Sequence, residues 1–338
     1  MRGVIRGTGS CLPERIVDNN DLARIMDTND EWIRERTGIA RRRIAGTETT
    51  VDMAARAAQR ALENAGVDAM DIDVILVSTV SSDTLLPSTA CMVQQCIGAK
   101  KAFCFDLNAA CTGFLFALNT AQAYFHAGMA EKILIIGVES LSNLVDWKDR
   151  GTAILFGDGA GAAVLVREEG ELPGMVMHSD GNRAGALTCR NRFEREKITG
   201  TCTQCTEGEG QDCRIAGYPA DSYIRMNGQE VFRFAVKQVP ECIEELLQKC
   251  GRKKEEIDFF ILHQANRRIM ESIAKRLKTD IAHFPMNLQE LGNTSSASIP
   301  ILLDELNRKE ILKKGMKLVL AGFGAGLSWG AVCMEWEK

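Results

Sequence analysis

The chain of 338 residues is 45% hydrophobic and 25% charged, a globular balance whose length fits two units of roughly 150 residues or one duplicated unit. Its formal net charge of −4 offers no basic field for nucleic acid, so any anionic partner has to be met by a local patch. No apolar run is long enough to span a bilayer, and the opening Met1-Arg-Gly-Val-Ile-Arg lacks a secretory leader's apolar core, so the twelve cysteines are expected to be reduced thiols of the cytoplasm.

In chain order, the first clear unit is Ala61-Leu-Glu-Asn-Ala-Gly66, a helix end with its left-handed glycine cap, followed by the buried strand Ile72-Asp-Val-Ile-Leu-Val-Ser78. Leu246-Leu-Gln-Lys-Cys-Gly251 leads in the same way into Ile257-Asp-Phe-Phe-Ile-Leu-His263. A third pair, Glu131-Lys-Ile-Leu-Ile-Ile-Gly137 and Met316-Lys-Leu-Val-Leu-Ala-Gly322, keeps the offset that separates Gly66 from Gly251 and Ser78 from His263. Three landmarks at one spacing predict two similar βα halves, residues 1–170 and 171–338, each with a mixed sheet between helices.

Between the first two landmarks of the first half and the third lies Asp106-Leu-Asn-Ala-Ala-Cys111-Thr-Gly-Phe-Leu-Phe-Ala-Leu-Asn119. A β-like run ends in small residues, and one cysteine stands at the start of an apolar helix, whose positive end favours a thiolate. Cys111 is therefore a candidate nucleophile, although local sequence alone fits a buried structural cysteine equally well. The same offset pairs Cys111 with Ser296, at the start of a helix over Ser295 to Asn307. His263 ends a buried strand, where α/β sheets place their ligands. Asn293 sits in a polar Leu-Gly-Asn-Thr-Ser turn, and Gly322-Phe-Gly-Ala-Gly326 reads as a flexible loop whose amides could line a site.

Five segments carry a specific likeness: Asn108-Ala-Ala-Cys111-Thr-Gly-Phe, Phe156-Gly-Asp-Gly-Ala-Gly-Ala, His263-Gln-Ala-Asn266-Arg, Gly292-Asn293-Thr-Ser-Ser-Ala-Ser and Phe323-Gly-Ala-Gly-Leu-Ser-Trp-Gly. Together they resemble the β-ketoacyl-[acyl-carrier-protein] synthase III family, from Gly7-Thr-Gly-Ser-Cys-Leu-Pro13 to Trp329-Gly-Ala. The resemblance implies an α/β thiolase-like fold with duplicated βα halves in an α/β/α/β/α layering. The N-terminal half then carries the cysteine, and the C-terminal half carries the histidine and asparagine.

The same resemblance implies an acyltransferase that initiates fatty acid synthesis. Cys111 would take the acyl group of an acyl-CoA, and His263 and Asn293 would serve the decarboxylative attack of malonyl-acyl carrier protein. The backbone amides of Cys111 and Ala325 would hold the oxyanion, Ala325 standing where many relatives have glycine. Trp32, Arg36 and Arg150 match a CoA-binding set, and Leu86 matches a position that shapes the primer pocket from a partner subunit. Arg267, Arg268, Lys275 and Arg276 on the helix after His263 would meet an acidic carrier protein. Arg268 and Lys275, seven apart, would share a face, and Arg233 could extend the patch. A homodimer, no metal and no cofactor complete the implied set.

Two rival readings stay open at this stage: a cysteine thioesterase using Cys111 and His263, and a starter-unit synthase of a polyketide-type pathway. The polar stretch from Gly181 to Arg225 reads as a surface excursion, longer than the resemblance implies. Cys202-x-x-Cys205 there, with Cys213 and Cys189 nearby, has a zinc-like spacing but no second close pair, so reduced thiols are the preferred reading.

Overall fold

The computed structural model describes residues 1–190 and 222–338. The first part runs β1 (Arg2–Cys11), β2 (Ile16–Asp18), α1 (Asn19–Ala23), α2 (Asp30–Thr37), β3 (Arg41–Arg43), α3 (Thr50–Ala65) and β4 (Val74–Ser78). It continues through α4 (Thr89–Ile97), β5 (Phe103–Leu107), α5 (Gly113–His126), β6 (Lys132–Glu139), α6 (Arg150–Ala153) and β7 (Gly159–Glu168). The rest comprises β8 (Gly174–Ser179), β9 (Leu187–Cys189), β10 (Ile224–Met226), α7 (Gly228–Lys249), β11 (Phe259–Leu262) and α8 (Arg267–Leu277). It closes with α9 (Leu288–Leu291), α10 (Ser298–Arg308), β12 (Lys317–Gly324) and β13 (Ser328–Glu335).

Two mixed sheets organise these elements. The first has the order β1-β7-β6-β4-β5, antiparallel from β1 to β6 and parallel from β6 to β5. The second, β8-β13-β12-β11, repeats that pattern without an equivalent of β5. The repeat is close in register: the starts of β4 and β11, of α5 and α10, and of β6 and β12 are all separated by the offset that relates the two halves in sequence. The expected counterpart of β5 is the short helix α9 instead.

Side-chain pattern explains the layering. On β4 and β6, Val74, Leu76, Ile133 and Ile135 face α5, whereas Ile75, Val77, Leu134 and Ile136 face α3 and α4. Alternation on a strand buried on both sides sends successive residues to opposite helix layers. Helix α5 is apolar nearly all round, and α10 is buried over most of its length, because both sit between the sheets: Phe114, Leu118, Ile299 and Leu303 are almost fully buried. Each such side chain contributes about 1.5–3 kcal/mol on burial. Helices α7 and α8 cover the outer face of the second sheet through Ile243, Leu246, Ile269 and Ile273. The result is five layers, α/β/α/β/α, and the turns that open both central helices meet near the middle of the molecule. Among the described residues, no helix is long and apolar enough to cross a membrane.

Candidate active site

Cys111 occupies a short 3₁₀ turn, Ala110–Thr112, placed ahead of α5 rather than in its first α-turn. Ala110 takes a left-handed backbone with φ of 46°, which bends the chain sharply out of β5. The Thr112 hydroxyl donates to Ala109 O at 2.6 Å and shares a 2.8 Å hydrogen bond with Ser328 Oγ. Gly113 then has to be glycine, because a Cβ there would lie 1.7 Å from Ser78 Oγ. The thiol is 8% exposed, and this burial pushes it up to about 12. The Ser295 hydroxyl beside it opposes the shift, and the Glu139 carboxylate reinforces it. Burial thus outweighs the helix-end pull toward thiolate expected from the sequence.

His263 directly follows β11, its N–H donating to Ala321 O at 2.8 Å. It is buried, and burial pushes its imidazole down to about 3, so the ring is neutral. Nδ1 shares a 2.7 Å hydrogen bond with the Ser298 hydroxyl at the start of α10. Asn293 is anchored on both sides: its N–H donates to Leu155 O at 2.8 Å, and its carbonyl accepts from Gly157 N–H at 3.0 Å. Its side-chain Oδ1 accepts from the Ser295 N–H at 2.8 Å, which leaves the amide NH₂ to act as donor.

The segment Gly322 to Gly324 belongs to β12 instead of forming a flexible loop, and only Ala325 to Leu327 form the turn before β13. The difference arises because Gly322 and Gly324 pair with Gly330 and Ser328 across the hairpin. A Cβ on Gly324 would stand 2.9 Å from both Cys111 Cβ and Cys111 N, so a bare backbone brings the strand end against the nucleophile. Ala325 lines the same cavity as Cys111.

A cleft of about 490 Å³ runs inward to Cys111, His263 and Asn293, walled by Leu155, Phe156, Phe232 and Phe323. Trp32, Arg36, Arg233 and Arg268 line it as well. The guanidinium groups of Arg36 and Arg150 lie 4.8 and 4.9 Å from the Trp32 ring, which brings the three expected CoA residues together. A second cavity of about 730 Å³ reaches Cys111 from the other side, lined by Ser81, Asp83, Leu85, Asn108 and Leu144 among others. Leu86 does not line it and is 83% exposed on the surface.

The basic helix α8 divides. Arg268 lines the cleft with Arg233, whereas Arg267 and Lys275 line a different depression. Arg268 and Lys275 thus keep one helix face, as seven-residue spacing requires, but two turns of axial separation put them in different depressions. Gly38 packs under Arg267. Arg267 Nε pairs with Glu271 at 2.7 Å, and Arg276 reaches Glu241 at 3.5 Å. Of the excursion, Cys189 is exposed on β9, while Cys202, Cys205 and Cys213 lie outside the described residues. Among the described residues no cluster of three or more His, Cys, Asp or Glu could hold a metal ion.

Sequence reasoning missed Glu139 at the end of β6. It is fully buried, and its carboxyl accepts from Ser81 Oγ at 2.6 Å, Val80 N–H at 3.1 Å, Ser296 Oγ at 2.9 Å and Ser295 Oγ at 3.2 Å. The available signal was a carboxylate closing an otherwise continuous buried strand, Lys132–Glu139.

Comparison with known proteins agrees with this geometry. Family profiles described as 3-Oxoacyl-[acyl-carrier-protein (ACP)] synthase III and its C-terminal region match residues 105–181 and 247–336. The chain is 46% identical to the beta-ketoacyl-[acyl-carrier-protein] synthase III of Clostridium acetobutylicum, over 99% of this chain and 98% of the relative. The crystal structure of 3-oxoacyl-[acyl-carrier-protein] synthase III from Aquifex aeolicus is similar with a TM-score of 0.88 and 39% identity, over 98% of this chain and 99% of that one. The priming β-ketosynthase of the R1128 polyketide pathway is similar at 0.87 and 34%, over 99% and 96%. With a thiolase-type five-layer fold, and likeness along its whole length, the chain belongs to the β-ketoacyl-[acyl-carrier-protein] synthase III family.

Proposed function

We propose that this chain condenses an acyl-CoA primer with malonyl-acyl carrier protein, giving β-ketoacyl-acyl carrier protein, CoA and CO₂, and so initiates fatty acid synthesis. The observation that carries this reading is one cleft, with Trp32, Arg36 and Arg268 on its walls and Cys111, His263 and Asn293 within it.

Cys111 Sγ attacks the thioester carbonyl and retains the acyl group, a ping-pong step. The backbone amides of Cys111 and Ala325 donate to the tetrahedral oxyanion. In the second half-reaction the malonyl group loses CO₂, and charge grows on its thioester oxygen. His263 Nε2–H and the Asn293 amide NH₂ both donate there. Neither has to ionise, which suits a neutral, buried imidazole. This role requires the Ser298 hydroxyl to be the donor in its 2.7 Å hydrogen bond with Nδ1, so that the ring proton stays on Nε2. A thioesterase would need the oxyanion amides but would have no use for a further pair of donors, His263 and Asn293, on a malonyl thioester oxygen. The chemistry calls for no metal or redox cofactor.

Trp32 with Arg36 and Arg150 holds the CoA adenine and phosphate, and Arg267, Arg268, Lys275 and Arg276 provide the carrier-protein docking helix, with Arg268 nearest the cleft. The chain divides as residues 1–170 and 171–338, one half supplying the thiol and the other the two donors. It acts as a cytoplasmic homodimer. Support for the dimer comes from β5, an edge strand with Phe103 46% exposed, and from Leu85 and Leu86, exposed in the loop that follows the neighbouring strand β4. Pairing of two such edges would carry Leu86 toward the partner's primer pocket. The test is intact-mass spectrometry after incubation with a panel of acyl-CoAs, followed by a malonyl-carrier protein chase. An acyl adduct on Cys111 that disappears with CO₂ release is the expected result, and hydrolysis without condensation would overturn the proposal. The similarity to a priming polyketide ketosynthase supports a second use of the same chemistry, which a preference for longer or branched primers would favour.

A further inference from the structure

Glu139 joins the two halves directly behind the nucleophile. Oε2 accepts from Val80 N–H and Ser81 Oγ, in the loop after β4, and Oε1 accepts from Ser295 and Ser296 Oγ, in the turn before α10. Thr79 Oγ1 stands 3.4 Å from Oε2. Every one of these partners is a hydroxyl or a backbone N–H, and none is a cation. Glu139 acts on the titratable Cys111, and the Ser295 hydroxyl that bonds Glu139 lines the same cavity as Cys111.

We propose that Glu139 receives the Cys111 proton through the Ser295 hydroxyl when the thiol attacks its thioester. The Sγ–H proton passes to Ser295 Oγ while the Ser295 O–H proton passes to Glu139 Oε1. The products are a thiolate, an unchanged serine and a neutral carboxylic acid. Sγ then bonds to the thioester carbon, the carbon–sulfur bond to CoA breaks, and the proton returns along the same route to the departing CoA sulfur. Atoms and charge balance, with a thiol entering and a thiol leaving.

Electrostatics favour this route over direct ionisation. A buried thiol that ionises alone beside a buried carboxylate would put two negative charges in one dry pocket. Moving the proton onto Glu139 keeps the pocket at a single negative charge throughout. Burial supports the exchange from both sides, holding the Glu139 carboxyl at about 7 and leaving His263 too weak a base to compete.

The step rests on the acyl-transfer reading, yet it can be tested without a CoA substrate. Iodoacetamide alkylation of Cys111, mapped by peptide mass, reports its thiolate at each pH. In the wild type the thiolate with neutral Glu139 carries the same number of protons as the resting state. Alkylation should therefore rise up to about pH 7 and then level off. Glu139→Gln should lose the plateau and rise about tenfold per pH unit across the range, the slope of a simple thiol ionisation. Acylation by acetyl-CoA near pH 7.5 should fall about 100-fold in Glu139→Gln and Ser295→Ala, the scale of a lost general base, with KM little changed. Glu139→Asp should regain part of the rate. Equal profiles for wild type and Glu139→Gln, or a faster Cys111 in the variant, would overturn the proposal by showing that the carboxylate only opposes the thiolate. If Glu139→Gln does not fold, Ser295→Ala decides alone, and a plateau retained there also overturns it. A wild type that alkylates as described but accepts no acyl-CoA would instead refute the acyl-transfer reading.

Discussion

Ala110 and Ser295 occupy equivalent places in the two halves and share a left-handed backbone, with φ of 46° and 49°. Each residue opens the 3₁₀ turn that leads into a central helix, so one strained bend is built twice and given two chemistries. In the first half it raises a thiol. In the second it presents Ser295, whose N–H orients Asn293 and whose hydroxyl reaches Glu139.

The bend itself predicts a contrast at Ala110. A β-branched side chain at positive φ is strongly disfavoured, so Ala110→Val should cost about 1–3 kcal/mol and misplace the thiol. Ala110→Gly should keep both fold and Cys111 acylation. Thermal unfolding with intact-mass assays checks this, and equal behaviour of the two variants would mean that the bend does not position the thiol.

Gly324 offers a second handle. A methyl group there meets Cys111 Cβ and N at 2.9 Å, inside normal contact distance. Gly324→Ala should push the strand end off the nucleophile and reduce acylation ~100-fold, comparable with losing one oxyanion donor. Single-turnover acylation measures the effect, and a wild-type rate would show that the oxyanion amides do not depend on this approach.

His263 and Asn293 should separate the half-reactions. Alanine at either position is expected to slow malonyl decarboxylation ~100-fold or more while acylation of Cys111 survives better. Equal loss of both steps would assign them to thiol activation instead.

His263 also carries a pH signature in stability. Its imidazole ordinarily titrates near 6.5 and is held at about 3 in the fold, so its neutral form stabilises the protein above pH 6.5. That contribution disappears as pH falls toward 3, because the unfolded chain binds the proton more readily. Urea midpoints at pH 7.5 and 5 should therefore fall less for His263→Asn than for the wild type. An identical drop would place the acid sensitivity elsewhere.

On the docking helix, charge reversal should distinguish neighbours. Arg268→Glu is expected to raise the KM for malonyl-carrier protein more than that for acyl-CoA, whose cleft it also lines, and to be imitated by added salt in the wild type. Arg276→Glu should have a smaller effect, because Arg276 leans on Glu241 and Val236 O on the far side. Steady-state kinetics at two ionic strengths provide the comparison.

Much of the framework is written locally. The glycine caps at Gly66 and Gly251, the strand runs ending at Ser78 and His263, and the small-residue turn at Cys111 are short-range patterns, legible because each depends on a few neighbouring residues. The constant offset between the halves and the order Cys, His, Asn follow from them. Tertiary structure decided what depends on distant chain. It buried Cys111 and so reversed the sign expected for its thiol, because desolvation is set by both sheets and both halves. It drew Gly322 and Gly324 into β12 by hairpin pairing with β13 and placed Gly324 against Cys111. It surrounded Arg268 and Lys275, two turns apart on one helix, with different neighbours, so that each lines its own depression. It also brought Glu139 to Ser295, a contact between distant parts of the chain that no local periodicity encodes, since it exists only where the two halves close on each other.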